Sequence, residues 1–175
     1  MAMKRYHPLL VSLHWILAAL ILFSLYTGDN ILEEMSNASP EKIFVLKVHM
    51  ATGLVILALM LFRLIVRLKS QLPKKIDTGN AFINKAGKYS HILLYVLVFL
   101  ITISGLSTSI LADLPNIFAT GGVLPETFEN LPPRIAHGVL TKILFALVIL
   151  HLSASLYHQF IRKDSLLSRM WFGKS

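Results

Sequence analysis

The chain has 175 residues, of which 55% are hydrophobic and only 15% are charged, and its mean hydropathy is +0.66. Soluble domains of this length are far less apolar, so the composition predicts a membrane protein. The absence of cysteine excludes disulfides, thiolate metal ligation, covalent cofactor attachment through thiols and thiol catalysis. The formal net charge is +8, but the positions of the charges indicate membrane topology and not nucleic-acid binding.

Four apolar stretches reach the length of about 20 residues that a bilayer-spanning helix needs. They predict an all-α, four-helix transmembrane bundle with helices at about 8–27, 43–68, 89–112 and 135–161. The first stretch lacks a convincing small-residue cleavage site, so it is predicted to be retained as helix one. The connecting segments carry Gly, Pro and polar residues and are too short for a further domain, so residues 1–175 are expected to form one unit.

The positions of the charged residues predict the orientation of the bundle. Thirteen of the 17 Lys and Arg residues lie in residues 1–5, in residues 63–88 or after the fourth span. Seven of the nine acidic residues lie beside the opposite ends of the helices. Because the cytoplasmic loops of membrane proteins are rich in Lys and Arg, both termini are predicted to be cytoplasmic.

Four of the six histidines inside the predicted spans are candidate ligands for a buried group. His14 lies inside the cytoplasmic start of helix one, and His49 lies at a similar depth inside the outer start of helix two. Helix four carries His137 near its outer end and His151 toward its cytoplasmic half. Fourteen residues advance an α-helix by about 21 Å and return the side chain to within roughly 40° of its first direction, so both rings can face the bundle interior.

Matching these histidines by depth pairs His49 with His137 near the outer face and His14 with His151 near the cytoplasmic face. Imidazoles are costly in hydrocarbon and therefore indicate a function. Two haems, each held by axial nitrogens from two helices, are the simplest occupants that need four such histidines. A single histidine of this kind could equally bond a neighbouring carbonyl. Ligation of another metal, or a proton path, is the alternative for the whole set.

Three histidines remain outside this set. His7 precedes the first span and is predicted to be solvated. His91 and His158 lie nearer the cytoplasmic ends of their helices than His14 and His151 do. Either could take a place in the cytoplasmic pair, and His91 is the alternative partner of His151. A shallow histidine beside a haem could instead hydrogen-bond a quinone carbonyl and carry protons, a role for which His158 is the candidate.

Haem propionates are anions, and cations near the helix ends offset the cost of burying them. Arg63 and Arg67 lie one turn apart on helix two near the cytoplasmic side and are candidates for this role. Lys47, Arg134 and Lys142 are available near the outer site. Each of these side chains could instead extend to the membrane surface or contact lipid phosphates.

Several short motifs, taken together with their order and spacing, resemble the bacterial cytochrome b561 family nearly from end to end. They are Ser12-Leu13-His14-Trp15, His49-Met50-Ala51-Thr52-Gly53 followed by Arg63, Lys88-Tyr89-Ser90-His91 with Tyr95, His137 with His151, Tyr157-His158-Gln159-Phe160, and Lys163-Asp164-Ser165-Leu166-Leu167-Ser168-Arg169-Met170. Each motif alone is short, and the combination carries the resemblance.

The resemblance implies a multi-pass cytochrome of the bacterial inner membrane with two b haems, bound by helices one, two and four. Carried over by position, the ligands fall on His14 and His151 for the inner haem and on His49 and His137 for the outer haem. The family is similar to the cytochrome b subunits of nickel-iron hydrogenases and formate dehydrogenases, which exchange electrons with quinone. Some members take electrons from superoxide and reduce ubiquinone, but the outer loops here do not strongly match those members.

The expected function is therefore electron transfer between a donor near the outer haem and the quinone pool, with ubiquinone as the expected substrate. The donor stays open, and both a small molecule and a redox protein fit. One alternative is a membrane anchor subunit of a larger dehydrogenase or hydrogenase, which shares the haem chemistry. The other is a proton or metal transporter, which would need polar residues at successive depths that the spans lack.

Overall fold

The computed structural model describes residues 5–73, 79–164 and 166–172. Within these ranges the chain is helical and has no strand, and four of its helices are long and apolar enough to cross a membrane. This confirms the predicted all-α, four-helix transmembrane bundle. Residues 74–78, which belong to the loop predicted between the second and third spans, lie outside the described residues.

Two long helices form the N-terminal half of the bundle. α1 (Pro8–Thr27) begins with proline, and Nδ1 of the exposed His7 accepts a 3.3 Å hydrogen bond from the backbone N–H of Leu9. The helix continues into a π-helical turn, Gly28–Leu32. α2 (Pro40–Lys69) also begins with proline, which has no N–H to leave unpaired in the first turn. The first and last residues of both helices lie at or close to the ends of the predicted spans.

The third long helix, α3 (Ala81–Leu111), begins at residue 81 rather than at the predicted residue 89. The Asn80 side chain accepts hydrogen bonds from the backbone N–H groups of Phe82 and Ile83 and so caps the first turn. The first two turns carry two lysines, which an apolar-length criterion excludes from a span. The structure therefore extends α3 beyond its hydrophobic stretch.

A short helix lies in the segment that was predicted to be an irregular loop. α4 (Leu114–Thr120) follows Asp113, whose φ is 53°, and ends at Gly121, whose φ is 75°. These two left-handed residues turn the chain sharply before and after the helix. The last long helix, α5 (Pro132–Leu156), continues into a second π-helical turn, Tyr157–Arg162.

The C-terminal segment folds back onto the start of α1. It contains a 3₁₀ turn, Leu167–Met170, and the indole Nε1 of Trp15 donates a 2.8 Å hydrogen bond to the Met170 carbonyl. The ring centres of Trp15 and Trp171 lie 5.8 Å apart. Both described chain ends therefore lie at one end of the bundle, called here the terminal end. The opposite end, which carries the α1–α2 connection and α4, is called the loop end.

The helices pack in the order α1 on α2, α2 on α3 and α3 on α5. The buried apolar core lies midway along the bundle and consists of Leu17, Ile56, Met60, Leu97, Val98, Ile101 and Leu144. Most other apolar side chains on these helices are exposed, as expected where hydrocarbon and not water surrounds them. The core thus separates the loop end from the terminal end.

Candidate functional site

The structure brings four histidines together as two pairs, one near each end of the bundle. At the loop end the ring centres of His49 on α2 and His137 on α5 lie 6.2 Å apart. At the terminal end those of His14 on α1 and His151 on α5 lie 6.4 Å apart. These are the pairs that matching by depth groups together, and they are called here the loop-end pair and the terminal-end pair.

The spacing within each pair suits a metal ion held between two imidazoles. A ligating nitrogen lies about 2 Å from its metal and about 1 Å from its ring centre, so two axial imidazoles have ring centres about 6 Å apart. No cluster of three or more potential metal ligands occurs among the described residues. A pair of imidazoles is sufficient only where the remaining ligands come from elsewhere, as they do for an iron porphyrin.

The surroundings of the pairs leave room for a flat macrocycle. Gly53 lies one turn from His49 on α2, and a Cβ added there would have no atom within 4 Å. Helices α1 and α5 make little direct contact in the described part of the chain, although His14 and His151 face each other between them. The chain's own residues therefore fit a haem at each level.

At the loop end, His137 is held by hydrogen bonds and His49 is not. Nδ1 of His137 lies 3.0 Å from the Ile101 carbonyl oxygen and 3.2 Å from Oγ of Ser104, both on α3. The buried Nδ1 of His49 has no hydrogen-bond partner among the described residues. Since a carbonyl oxygen only accepts, the proton of His137 lies on Nδ1 and leaves the Nε2 lone pair free to bind a metal.

Cations lie close to the loop-end pair. Arg134 on α5 forms an ion pair with Glu33, and its guanidinium lies beside Gly138, one turn further along the helix. Lys47 donates a hydrogen bond of 3.4 Å to the Phe118 carbonyl of α4. The exposed Lys142 makes no described contact with this pair. Of the predicted outer cations, Arg134 thus lies best to meet an anionic group at this level.

At the terminal end, a third histidine approaches the pair. The ring centre of His91 on α3 lies 5.3 Å from that of His151, and the His91 side chain is exposed. This separation is shorter than the distance that two axial imidazoles on one metal ion need. His14 at 6.4 Å therefore fits as the partner of His151 better than His91 does.

Arg63 of α2 is buried beside the terminal-end pair. It is only 8% exposed, and its Nη1 donates a hydrogen bond to the Leu10 carbonyl of α1. Arg67, one turn further on, is half-buried. A buried guanidinium needs an anion or several acceptors near it, and Arg63 is the predicted cation best placed for one.

A cleft of about 370 Å³ lies at the terminal end of α5, where Leu150, Ser153 and Ala154 form part of its wall. His158, Tyr157 and Arg162 line it from the π-helical turn, and Ile83 lines it from the first turn of α3. Nδ1 of His158 lies 2.6 Å from Oδ2 of Asp164. Lys163 between them adopts a left-handed conformation with a φ of 54°, which turns Asp164 back toward the helix end.

His158 is a predicted functional residue, but its carboxylate partner Asp164 was not predicted. Asp164 is one of two acidic residues outside the predicted outer segments, and that position among many cations is the signal that could have found it. The contact of the Ile101 carbonyl with His137 was also missed, because a backbone carbonyl has no signature in a sequence.

The fold and the paired histidines define a class of protein, namely a multi-pass membrane bundle built around buried imidazoles. The sequence model of the family described as Prokaryotic cytochrome b561 matches residues 5–173. The chain therefore belongs to the prokaryotic cytochrome b561 family, a family of membrane electron-transfer proteins that bind haem b. This confirms the resemblance drawn from the motifs.

Individual relatives match along almost their whole length. The chain is 25% identical over 172 residues to cytochrome b561 homolog 1 of Escherichia coli, covering 96% of this chain and 97% of that protein. It is 28% identical over 169 residues to cytochrome b562 of Cereibacter sphaeroides, covering 94% of each. It is 23% identical over 174 residues to a probable superoxide oxidase, CybB, of Yersinia pestis, covering 95% and 96% respectively.

Proposed function

We propose that the protein binds two haem b groups and carries electrons across the bacterial inner membrane between a donor at the loop end and quinone at the terminal end. His49 and His137 are the proposed axial ligands at the loop end, and His14 and His151 those at the terminal end. The observation that carries the proposal is the spacing of 6.2 Å and 6.4 Å between the ring centres of the two pairs. With both axial positions filled, the sites suit electron transfer rather than binding of small gases.

The two proposed haem sites lie at different depths along α5. His137 and His151 are fourteen residues apart, which corresponds to about 21 Å along a helix axis. Haem b supplies one-electron oxidation and reduction. The apolar core between the pairs keeps water out of the space between the levels and fixes the helices that carry the ligands.

The orientation rests on the distribution of charge. The terminal end carries most of the Lys and Arg residues, and we place it in the cytoplasm. The loop end, with most of the acidic residues, faces the outside. Electrons that enter at the loop end would then reach quinone at the cytoplasmic side, where the cleft lined by His158 lies.

Arginine side chains stabilise the anionic propionates in this proposal. Arg63 and Arg67 serve the terminal-end site, and Arg63 is the stronger candidate because it is buried. Arg134 serves the loop-end site from the opposite end of the bundle. Each guanidinium would exchange one of its present partners, or share it, with a propionate oxygen.

The cleft at the terminal end is the proposed quinone site. Its wall is mainly apolar, which suits the ring of a quinone. Tyr157 and His158 are among the few polar side chains that line it and could meet a carbonyl oxygen. The Asp164 carboxylate orients His158 by accepting from Nδ1. When His158 is protonated at both nitrogens, it can donate the Nε2 proton to a quinone oxygen and then take up another proton from the cytoplasmic side, and His91 on α3 is the second candidate proton carrier.

Two kinds of electron donor fit the loop end. The name of the Yersinia pestis relative makes superoxide one donor to test. A redox protein docked at the loop end, as for a membrane anchor subunit, is the other. Co-purification from gently solubilised membranes distinguishes a stable protein partner from a diffusible donor.

Electron transfer to quinone tests the proposal directly. The purified protein is reduced with a limiting amount of dithionite in detergent, and a short-chain ubiquinone is then added under anaerobic conditions. Rapid reoxidation of the b-type absorption is the expected result. Reduced protein that stays reduced in the presence of excess ubiquinone would contradict the quinone assignment.

A further inference from the structure

α3 contributes no histidine to the loop-end pair, yet three of its residues, Ile101, Ser104 and Gly105, lie against the ring of His137. The Ile101 carbonyl oxygen lies 3.0 Å from Nδ1 of His137, and Oγ of Ser104 lies 3.2 Å from the same atom. A Cβ added at Gly105 would lie 3.1 Å from Cε1 and 3.2 Å from Nδ1 of the ring. One face of α3 is thus fitted to one imidazole.

The hydrogen bonds at this contact determine which ring nitrogen of His137 carries the proton. Ser104 donates its own hydroxyl proton to the Ile101 carbonyl at 2.9 Å, so its oxygen can only accept from the ring. Both neighbours of Nδ1 are therefore acceptors, and His137 must carry its proton on Nδ1. The contact selects the tautomer that presents the Nε2 lone pair.

Gly105 explains how the ring can lie so close to the helix. Glycine in the interior of a helix is less favourable than alanine by about 1 kcal/mol, so its presence in α3 calls for a reason. Any larger residue would bring a Cβ closer to the ring than ordinary van der Waals contact allows. Glycine at this position lets the ring reach the Ile101 carbonyl.

His49 receives no comparable support. Its buried Nδ1 has no hydrogen-bond partner among the described residues, and a Cβ at the nearby Gly28 would lie 3.5 Å from its Cε1, an ordinary contact distance. The two members of the loop-end pair are therefore unequal. Only His137 has both its tautomer and its ring position set by another helix.

From these contacts we infer that residues 101–105 of α3 act as a positioning element that makes His137 the stronger ligand of the loop-end site. The inference rests on the proposed ligation of haem by the loop-end pair. An N–H···O=C hydrogen bond from the far nitrogen raises the basicity of a ligating imidazole. A more basic axial ligand stabilises ferric iron, so this contact lowers the midpoint potential of the loop-end haem.

The first test is the Gly105→Ala variant, studied by potentiometric titration and by electron paramagnetic resonance of the oxidised protein. The added methyl group pushes the ring away from the Ile101 carbonyl and weakens the hydrogen bond. We expect the loop-end component, identified as the one that His137→Ala removes, to shift to higher potential. Its low-spin ferric signal should also move, because that signal depends on the relative orientation of the two imidazole planes.

Gly87→Ala is the matched control, because it makes the same change on the same helix where an added Cβ would meet no atom within 4 Å. This variant should leave both potentials unchanged. If Gly105→Ala also leaves the potential and the signal of the loop-end component unchanged, the inference is wrong, although the two-haem proposal stands. If the native protein shows no haem that His137→Ala removes, the proposed function itself fails.

A second test does not depend on how α3 tolerates a methyl group. His137→Gly and His49→Gly are each supplied with imidazole or with 1-methylimidazole, which has no N–H to donate. At position 137 imidazole should restore the loop-end haem much better than 1-methylimidazole, because only imidazole can donate to Ile101. At position 49 the two should perform alike, and equal rescue at both positions would overturn the inference.

Discussion

At the loop end, one histidine of the pair is fixed by α3, and Arg134 forms an ion pair with Glu33. At the terminal end, His151 faces both His14 and His91, and an open cleft lined by His158 lies at the same end of the bundle. This difference indicates that the two ends have different functions. The loop end is built to hold a group in one geometry, whereas the terminal end is built to let a second molecule approach and leave.

The largest expected effect comes from removing one ligand of either pair. His137→Ala should abolish the loop-end component and His151→Ala the terminal-end component, so each variant should retain about half of the haem. The measurement is a potentiometric titration combined with haem quantification. Loss of the same component in both variants would show that the two pairs do not form separate sites.

The next effect concerns the cleft and distinguishes the two ends by activity. His158→Ala removes the proposed proton donor, and loss of a general acid typically slows a reaction by about 10²- to 10⁴-fold. The rate of reoxidation by ubiquinone should fall in that range while the haem content and both potentials persist. His7→Ala, which changes an exposed histidine at the same end, is the control and should keep the native rate. An unchanged reoxidation rate in His158→Ala would show that His158 and its cleft take no part in the reduction of quinone.

A smaller effect is expected at the buried cation of the terminal end. Arg63→Gln removes a positive charge beside His14, which should lower the midpoint potential of the terminal-end haem because reduced iron loses a favourable interaction. The half-buried Arg67 is the control, since Arg67→Gln should give a smaller shift in the same direction. A shift confined to the loop-end component would place Arg63 at the wrong level.

The smallest effect is expected at the ion pair of the loop end. The Glu33 side chain is 52% exposed, and pairs of this kind contribute about 0.2–1 kcal/mol, so Glu33→Gln should change thermal stability little. Arg134→Gln should shift the loop-end potential more than Glu33→Gln does, if Arg134 also meets a propionate. If the two variants shift the loop-end potential equally, Arg134 acts only through its ion pair with Glu33.

Much of the scaffold could be predicted from the sequence, because a bilayer imposes simple rules. Apolar length predicts the four spans, and the periodicity of an α-helix predicts that His137 and His151 share a direction. The pairs at two depths follow from the same reasoning. These features depend on one helix at a time, which is why no knowledge of the packing was needed.

Other features depend on contacts between helices and could not be read from the chain. The Ile101 carbonyl is a backbone atom, so nothing in its residue type indicates that it accepts from His137. The turn of Asp164 toward His158 requires a left-handed Lys163, which is an uncommon conformation for a residue with a side chain. The early start of α3 depends on the Asn80 cap, and hydropathy does not detect caps.

The central claim is that two pairs of imidazoles each hold one haem b in the same chain. A reduced-minus-oxidised difference spectrum of the purified protein, combined with haem quantification by the pyridine haemochrome method, tests it most directly. The account predicts a b-type spectrum and two haems per chain. A preparation that is folded and membrane-inserted but holds at most one haem per chain, or shows no b-type absorption, would contradict it.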